Sequence, residues 1–177
     1  MAKNNSNIAV PEKAELRNYK ITFKNFAGRA SANGYNRAGN RNFCVVLDDE
    51  TAQQMLADGW NVRIKQFDDG SHRNTLQVAV RYDIERFRPT VYLVTPKSNG
   101  KFVKRILTED TISELDSASI TDTRMILNPS PWHNAMGDGG IKAYLTLGYF
   151  VIEKDPFEDD FPTDDDYDAD YDDVPFN

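Results

Sequence analysis

The sequence predicts a small all-β domain, mainly antiparallel, with one or two short helices. Short segments of alternating apolar and polar residues run through most of the 177-residue chain, and turn signals rich in Gly, Asn and Asp separate them. A chain of this length is expected to form one domain with tails. Six or seven strands fit an antiparallel barrel or a strongly bent sheet, and the pattern leaves a sandwich open as the alternative.

Composition divides the chain into three parts. Residues 1–16 are polar without periodicity and predict a flexible N-terminal arm, and residues 17–154 carry the strand patterns of a domain. Residues 155–177 are dominated by aspartate, with few side chains that could form a core, which predicts a disordered acidic tail.

The first elements come before Gly59. NYKITFKNF is expected to be a strand with Tyr19, Ile21 and Phe23 on one face, and residues 27–42 predict a long basic loop rich in Gly, Asn and Arg. NFCVVLD predicts a second strand. DDETAQQMLADG predicts a short helix that begins at its aspartates and ends at Gly59.

A hairpin is predicted next, in which WNVRIKQF and TLQVAVRY pair around the turn signal Asp69-Gly70. In its first strand Trp60, Val62 and Ile64 are expected to face the core. The opposite face then carries Arg63, Lys65 and Phe67.

The second half of the domain continues in the same way. RPTVYLVT and KFVKRIL predict a hairpin around residues 98–100, and TISELDSA predicts a short helix in which Thr111 and Glu114 have the spacing of a capping box. TRMILNP and GIKAYLTLGYFVIE predict two last strands, joined by the connection SPWHNAMGDG.

Charge is distributed unevenly. From Asp155 onward there are 11 acidic residues and no Lys or Arg, so that 17 of the 28 acidic residues remain before it, against all 21 basic ones. The body therefore carries a net charge of +4, although the whole chain carries −7. A cationic body with a polyanionic tail is typical of a domain that binds a polyanion such as nucleic acid.

Motifs for catalysis are missing. The chain has two histidines and one cysteine, and neither HExxH, CxxC, GxSxG nor a phosphate-binding loop occurs. Asp48, Asp49 and Glu50 are expected to begin a helix. Asp164, Asp166 and Asp168 start like a calcium loop, but its glycine and final glutamate are absent. We expect no enzyme, no cofactor and no metal; a carboxylate-dependent nuclease is the less favoured alternative.

Cations interleaved with aromatic rings on the predicted outer faces suit single-stranded nucleic acid, because cations neutralise phosphates and rings stack on bases. Trp60 is expected in the core, whereas Trp132 is a candidate surface platform. Arg29 accompanies the others in the basic loop. The predicted contact residues are Tyr35, Arg37, Arg41, Arg63, Lys65, Phe67, Arg73, Arg81, Tyr92, Trp132, Lys142 and Tyr144.

The chain closes with DYDDVPFN, an acidic run followed by an apolar tip. This segment resembles the C-terminal tip of bacterial single-stranded DNA-binding proteins. The stretch LNPSPWHNAMGDGGIKAYLTLGYFVIEKDPF resembles phage-encoded single-stranded DNA-binding proteins, so that the resemblance covers about the last third of the chain. In the bacterial family phenylalanine is the last residue, whereas Asn177 follows Phe176 here.

The resemblance implies an oligonucleotide/oligosaccharide-binding (OB) fold, a five-stranded barrel extended here by extra hairpins. It also implies binding of single-stranded DNA with little sequence preference, in replication or recombination in the cytoplasm of a bacterial host. We expect no membrane association, and a homo-oligomer is possible. Partner proteins would bind the tail through Asp172, Asp173, Val174, Pro175 and Phe176. The rival interpretation is a protein-interaction or DNA-mimic module, whose acidic tail is the active part.

Overall fold

The computed structural model describes residues 9–161. Its strands in the first half are β1 (Ala14–Arg17), β2 (Ile21–Asn25), β3 (Arg41–Leu47), β4 (Val62–Gln66) and β5 (His72–Val80). The second half contains β6 (Thr90–Pro96), β7 (Phe102–Leu107), β8 (Ile120–His133) and β9 (Gly139–Ile152). The helices are α1 (Asp49–Ala57), α2 (Glu114–Ser117) and a short 3-10 helix at Glu85–Phe87.

The strands form one bent sheet in the order β1-β8-β9-β5-β3-β2, with β4 added to β5 and the β6–β7 hairpin added to β9. Most pairs are antiparallel, whereas β9 runs parallel to both β5 and β6. The predicted all-β class with two short helices is confirmed, and the sheet is OB-like. It has nine strands within residues 9–161 and does not close into a barrel.

The long strand β9 connects the two halves of the sheet. Its first half pairs with β5 and its second half with β6, while β8 accompanies it along its whole length. Ile126 pairs with Leu147 and Leu127 with Leu145, so that Thr146 is an extra residue in β9. Such a bulge shifts the alternation of side chains by one position.

The core lies between the curved inner faces of the sheet. Phe26, Phe43 and Phe150 are fully buried at its centre, with ring centroids 5.1 to 5.8 Å apart. Trp60 is buried as well, which confirms its assignment to the core. Aromatic rings of this size contribute much of the apolar area that folding removes from water.

The prediction that Phe23 shares a face with Tyr19 and Ile21 is wrong, because those two pack against the core whereas the Phe23 side chain is 69% exposed. The pairing of β2 with β3 shifts between Thr22 and Asn25, and Phe23 adopts a positive φ of 50°. A local irregularity of this kind turns a side chain away from the core. Ile64, also expected in the core, is 42% exposed at the edge strand β4.

The two predicted helices differ in how they begin. In α1 the Asp48 carboxylate accepts a hydrogen bond from the Thr51 backbone N at 3.0 Å, which confirms the predicted acidic start. The capping box predicted for α2 is wrong, because the Thr111 hydroxyl accepts from the Thr108 backbone N and Glu114 pairs with Arg105.

Strand β8 is longer than predicted and includes the proline-containing stretch that was expected to be a connection. Pro129 pairs with Ala143 and Pro131 with Ile141, and the turn itself comes after His133. Strand β1 covers β8 only at residues 124–127, so that both prolines lie where β8 has a neighbour on one side. Proline is tolerated at such an edge because no N–H is needed there.

Structure extends beyond both ends of the predicted domain. Ala14–Arg17 form β1, whose first three residues belong to the segment 1–16 that was expected to be an arm. On the other side, residues 155–161 form turns against the β6–β7 hairpin, where Lys97 pairs with Glu158 at 3.2 Å and Ser98 donates to Asp159 at 2.6 Å. Within residues 9–161, the helices are too short to span a bilayer.

Candidate nucleic-acid interface

A groove of about 470 Å³ crosses the outer face of the sheet where β3, β4, β5 and β9 meet. Ala79 of β5 lies at its centre, with Asn42 of β3 and Tyr144 of β9 as its cross-strand neighbours. The predicted contact residues that line this groove are Tyr35, Arg41, Arg63, Arg81, Trp132, Lys142 and Tyr144. Residues far apart in the sequence therefore converge on one surface.

One end of the groove is formed by the β8–β9 hairpin. Trp132 is opposite Gly140 in the ladder, and the Lys142 ammonium lies over its indole ring, 5.7 Å from the centroid. A side chain at Gly140 would collide with Asn61, since the nearest atom is 2.0 Å from the ideal Cβ position. This glycine thus permits the close approach of the hairpin to Asn61, which also lines the groove.

The other end contains an aromatic stack. Tyr144 lies against Phe87, with ring centroids 4.7 Å apart and planes inclined by 9°. The Arg86 guanidinium lies over the far ring, 4.7 Å from the Phe87 centroid. Neither Arg86 nor Phe87 was among the predicted contacts, although cations and a ring alternate in ERFRP, the same signal that singled out the other residues.

Arg81 lines the groove and forms an ion pair with Asp83. Its guanidinium donates two hydrogen bonds to the Asp83 carboxylate, at 2.8 and 2.7 Å. The hydrogen bonds lower the pKa of Asp83 to about 2, and the same contact raises the pKa of Arg81. The groove therefore carries less net positive charge at this point than the arginine alone would supply.

Arg41 lines the groove and also holds the backbone at the start of the basic loop. Its side chain is only 17% exposed, and it donates to the backbone oxygens of Phe26 and Ala27 at 3.1 Å each. It also lies over the Tyr82 ring, 5.8 Å from the centroid. Burial raises the pKa of Tyr82 to about 12, although the nearby Arg41 opposes the shift.

The basic loop is held in shape by Asn36. The Asn36 amide donates to the backbone oxygens of Arg29 and Asn40 at 2.7 and 3.0 Å, and its oxygen accepts from Asn42 at 3.1 Å. The neighbouring Tyr35 is 91% exposed at the mouth of the groove. The loop therefore exposes the Tyr35 ring while hydrogen bonds from Asn36 fix the loop's backbone.

Two further loop arginines lie away from the groove lining. Arg37 is exposed on the same loop, and Arg29 reaches Asp116 at 3.5 Å. The Asp116 carboxylate also accepts from the backbone N atoms of Phe26 and Ala27. Arg29 is thus associated with the anchoring of the loop to α2.

A cationic hairpin extends from the groove along β4 and β5. Lys65 and Arg73 are cross-strand neighbours, and both lie over the Phe67 ring, at 5.4 and 5.6 Å from its centroid. Arg63, two residues before Lys65, lines the groove itself. The predicted residues Lys65, Phe67 and Arg73 therefore continue the surface beyond the groove.

Tyr92 lies outside the groove lining. It stacks on Tyr149 of β9 with centroids 4.9 Å apart, and Lys104 lies over it at 4.9 Å. Because the Thr146 bulge shifts the alternation, Tyr144 and Tyr149 lie outside the core although they are an odd number of residues apart. Tyr92 therefore lies beside Tyr149, on a part of the sheet that does not line the groove.

Metal-binding groups are sparse on this surface. Between residues 9 and 161, the His, Cys, Asp and Glu side chains form no group of three or more that could hold a metal ion. Cys44 is half-buried in β3, where burial raises the pKa of its thiol. Asp172, Asp173, Val174, Pro175 and Phe176, the predicted partner-binding tip, lie outside the described residues, as does the aspartate run tested for calcium.

A family described as "Putative phage ssDNA-binding domain" matches residues 5–176. The chain belongs to this family. The match spans nearly the whole sequence, and it confirms the resemblance to phage-encoded single-stranded DNA-binding proteins that the last third of the sequence indicated. Among curated proteins, none matches the chain.

Solved structures of phage proteins resemble the fold. The single-stranded DNA-binding protein from bacteriophage Enc34 in complex with ssDNA has a TM-score of 0.50 at 10% identity, over 82% of this chain and 89% of that chain. The same protein without DNA gives 0.45 at 14% identity, over 88% and 89%. The protein gp2.5 of bacteriophage T7, a single-stranded DNA-binding protein, gives 0.44 at 10% identity, over 88% and 99%.

Proposed function

We propose that this member of the phage family binds single-stranded DNA in the groove between β3, β4, β5 and β9, with little sequence preference. The observation that carries the proposal is the convergence of cations and rings from separate elements on one concave surface. Arg63 and Lys142 are the cations best placed for phosphates. Trp132, Tyr144 and Tyr35 supply the rings for bases.

The absence of sequence preference follows from the kind of contact. Rings stack on any base, and guanidinium or ammonium groups bind phosphates that carry no sequence information. The groove also contains the amides of Asn42, Asn61 and Gln77, which can hydrogen-bond base edges. The Asn42 amide is held by its hydrogen bond to Asn36, whereas the Asn61 and Gln77 amides can rotate to suit several bases and so add affinity more than discrimination.

The bound DNA strand continues from the groove over the β4–β5 hairpin. Lys65 and Arg73 flank the Phe67 ring there, in the combination of two cations and one ring that suits a nucleotide step. At the opposite end, Phe87 and Arg86 extend the surface behind Tyr144. The proposed path therefore runs from this hairpin through the groove to the 3-10 helix.

The protein acts by binding rather than by catalysis, in the cytoplasm of the bacterial host. It coats and protects single strands during replication or recombination. Its acidic tail, which ends in Val174, Pro175 and Phe176 before Asn177, recruits partner proteins. Charge supports this division, because the body is net cationic and the tail contains only acidic charges.

A titration with oligo-dT tests the proposal. Trp132 lies in the groove while Trp60 is buried, so that binding is expected to quench Trp132 fluorescence, and Trp132→Phe removes most of the signal. The logarithm of the affinity should fall with the logarithm of the salt concentration, with a slope of about −0.7 for each phosphate contact. A chain lacking residues 162–177 serves as the comparison, because residues 155–161 pack on the β6–β7 hairpin.

Absence of binding to oligo-dT at low salt, for the full chain and the shortened chain alike, would refute the proposal. The rival DNA-mimic interpretation makes the opposite prediction for the shortened chain, which would then lose its only activity. Cleavage of labelled oligonucleotide with magnesium or manganese would contradict a protein that only binds.

A further inference from the structure

The outer face of the sheet carries a second concavity, of about 290 Å³, where β1, β8 and β9 run side by side. It shares no lining residue with the groove between β3, β4, β5 and β9. Small-molecule sites usually have volumes of about 300–1,000 Å³, so that this concavity has room for one flat group such as a nucleobase. Its lining includes Glu15, Arg17, Arg124, Ile126, Leu147 and Tyr149.

The strand register places cations and rings in one row on this face. The successive cross-strand neighbours are Arg17 of β1, Arg124 of β8, Tyr149 of β9 and Tyr92 of β6. The two tyrosine rings stack with centroids 4.9 Å apart, and the Lys104 ammonium lies over the Tyr92 ring, 4.9 Å from its centroid. Two rings are thus flanked by arginines on one side and by a lysine on the other.

An apolar floor lies beside this row. Ile126 of β8 is paired with Leu147 of β9, and both line the concavity. Glu15 also lines it and forms an ion pair with Arg17 at 2.5 Å, but with Arg124 the lining carries two arginines against this one carboxylate. Such a surface suits a base on the apolar floor and phosphates beside the guanidinium groups.

Strand β9 connects this surface to the groove. Its residue Tyr144 lines the groove, and Leu147, about 10 Å farther along the strand, lines the concavity. Next to β9, the 3-10 helix ends at Phe87, and β6 begins three residues later at Thr90 and continues to Tyr92. The proposed path of DNA, which ends at the 3-10 helix, therefore leads directly to the row.

We infer that the row and its concavity form a second contact surface for single-stranded DNA, which binds the strand after it leaves the groove past Tyr144. Phosphates alternate with bases along a strand, and cations flank rings along the row in the same way. An apolar protein segment would gain little from the cations at both ends of the row. The inference rests on the proposed function, because the groove delivers the strand to this surface.

Methyl NMR of the full-length chain with oligo-dT of two lengths tests the inference. An oligo-dT of about 5 nucleotides fits within the groove, whereas one of about 20 can continue to the row, since an OB fold covers about 4–16 nucleotides. Each is added slightly above the protein concentration, so that one strand carries one chain. We expect the Ala79 methyl signal in the groove to shift with both lengths, and those of Ile126 and Leu147 to shift only with the longer one.

Charge reversal on the row gives an independent measurement. Arg17→Glu with Lys104→Glu should lower the affinity for the longer oligo-dT about fivefold or more, with a salt slope smaller by about 0.7 for each phosphate no longer neutralised. Binding of the shorter oligo-dT should stay unchanged. Lys20→Glu with Lys154→Glu, at exposed positions outside the row, is the matched control. Retained methyl dispersion shows that each variant is folded.

Three results would overturn the inference. The first is a shift of Ala79 with the longer oligo-dT while Ile126 and Leu147 stay unchanged, which would confine the strand to the groove. The second is a shift of Ile126 and Leu147 with the shorter oligo-dT as well, which would make the concavity an independent site. The third is a shift only when protein is in excess, which would indicate contact between neighbouring copies on one strand. An Ala79 signal that neither length shifts would refute the proposed function itself, so that the two failures remain distinguishable.

Discussion

Phe87 stacks face to face on Tyr144, with ring centroids 4.7 Å apart, although the first residue belongs to a 3-10 helix and the second to β9. The pair places a double aromatic layer at one end of the groove. Because Phe87 supports one face of Tyr144, a nucleobase would stack on the other face or on its edge. On the proposed DNA path, the contact would hold a surface ready for a base before DNA binds.

Substitution of either ring should weaken binding of single-stranded DNA. We expect Tyr144→Ala to cost about 1–3 kcal/mol of binding free energy, the usual value for one base stack. Phe87→Ala should cost less, because Tyr144 remains but loses its support. Fluorescence titration with oligo-dT measures both effects. Phe157→Ala, an exposed ring outside the groove, is the matched control and should leave affinity unchanged.

A double-mutant cycle then separates support from contact. If Phe87 acts through Tyr144, the double variant should bind about as weakly as Tyr144→Ala alone. Additive losses would instead mean that Phe87 contacts DNA on its own, and an unchanged affinity in Tyr144→Ala would contradict the proposed path.

Reversal of two cations should weaken binding without unfolding the domain. Arg63 and Lys65 are exposed on β4, so that Arg63→Glu with Lys65→Glu leaves the core intact. We expect a marked decrease in affinity and a salt slope smaller by about 0.7 for each phosphate that these side chains no longer neutralise. Lys13→Glu with Lys154→Glu applies the same charge change at other exposed positions and controls for net charge. Equal decreases in the two double variants would argue against a localised site.

Arg41→Lys should destabilise the basic loop. A lysine cannot reproduce the guanidinium hydrogen bonds to the carbonyl groups of Phe26 and Ala27. An unsatisfied buried group costs about 1–3 kcal/mol, and each kcal/mol lowers the Tm of a domain of this size by about 2–4 °C. Arg37→Lys, an exposed substitution on the same loop, should leave the Tm unchanged in calorimetry. An unaltered Tm for Arg41→Lys would show that these hydrogen bonds contribute little.

Removal of the Asp83 carboxylate that pairs with Arg81 should strengthen DNA binding. Asp83→Asn removes the negative charge that now accompanies Arg81 at the groove, which frees the guanidinium for a phosphate. We expect higher affinity for oligo-dT and a salt slope larger by about 0.7. Asp110→Asn, on the loop before α2, makes the same charge change elsewhere and should have a smaller effect. Equal gains in the two variants would indicate a general effect of net charge.

The same pair has a defined pH dependence. The folded-state pKa of Asp83 is about 2, below its usual value near 4, so that the ion pair is fully formed above about pH 4. Its contribution to stability is lost only as the pH falls from about 4 toward 2. Titration of the Asp83 carboxyl carbon by NMR should show this low midpoint in the native protein, and Arg81→Gln should move it upward. A midpoint near 4 in the unsubstituted protein would mean that the pair is open in solution.

Local pattern in the sequence was sufficient for much of this protein. Period-two alternation identified every strand except β1, the aspartates at 48–50 identified the start of α1, and the turn residues identified both central hairpins. These features depend on neighbours within a few residues, which the sequence displays directly. The charge difference between body and tail, and the family resemblance of the last third, were visible for the same reason.

Tertiary structure decided what depends on register and curvature. Whether Phe23 faced the core depended on an irregularity in its pairing with β3, and whether Thr111 capped a helix depended on competition from Thr108. Phe87 lies against Tyr144, a lining residue of the groove, because its 3-10 helix packs against β9. Tyr92 lies outside the groove because it pairs farther along the same strand. Sequence alone shows which residues have the charge or the aromatic ring that nucleic-acid binding needs. Long-range pairing alone decides which of them share a surface, because strand neighbours dozens of residues apart leave no local pattern.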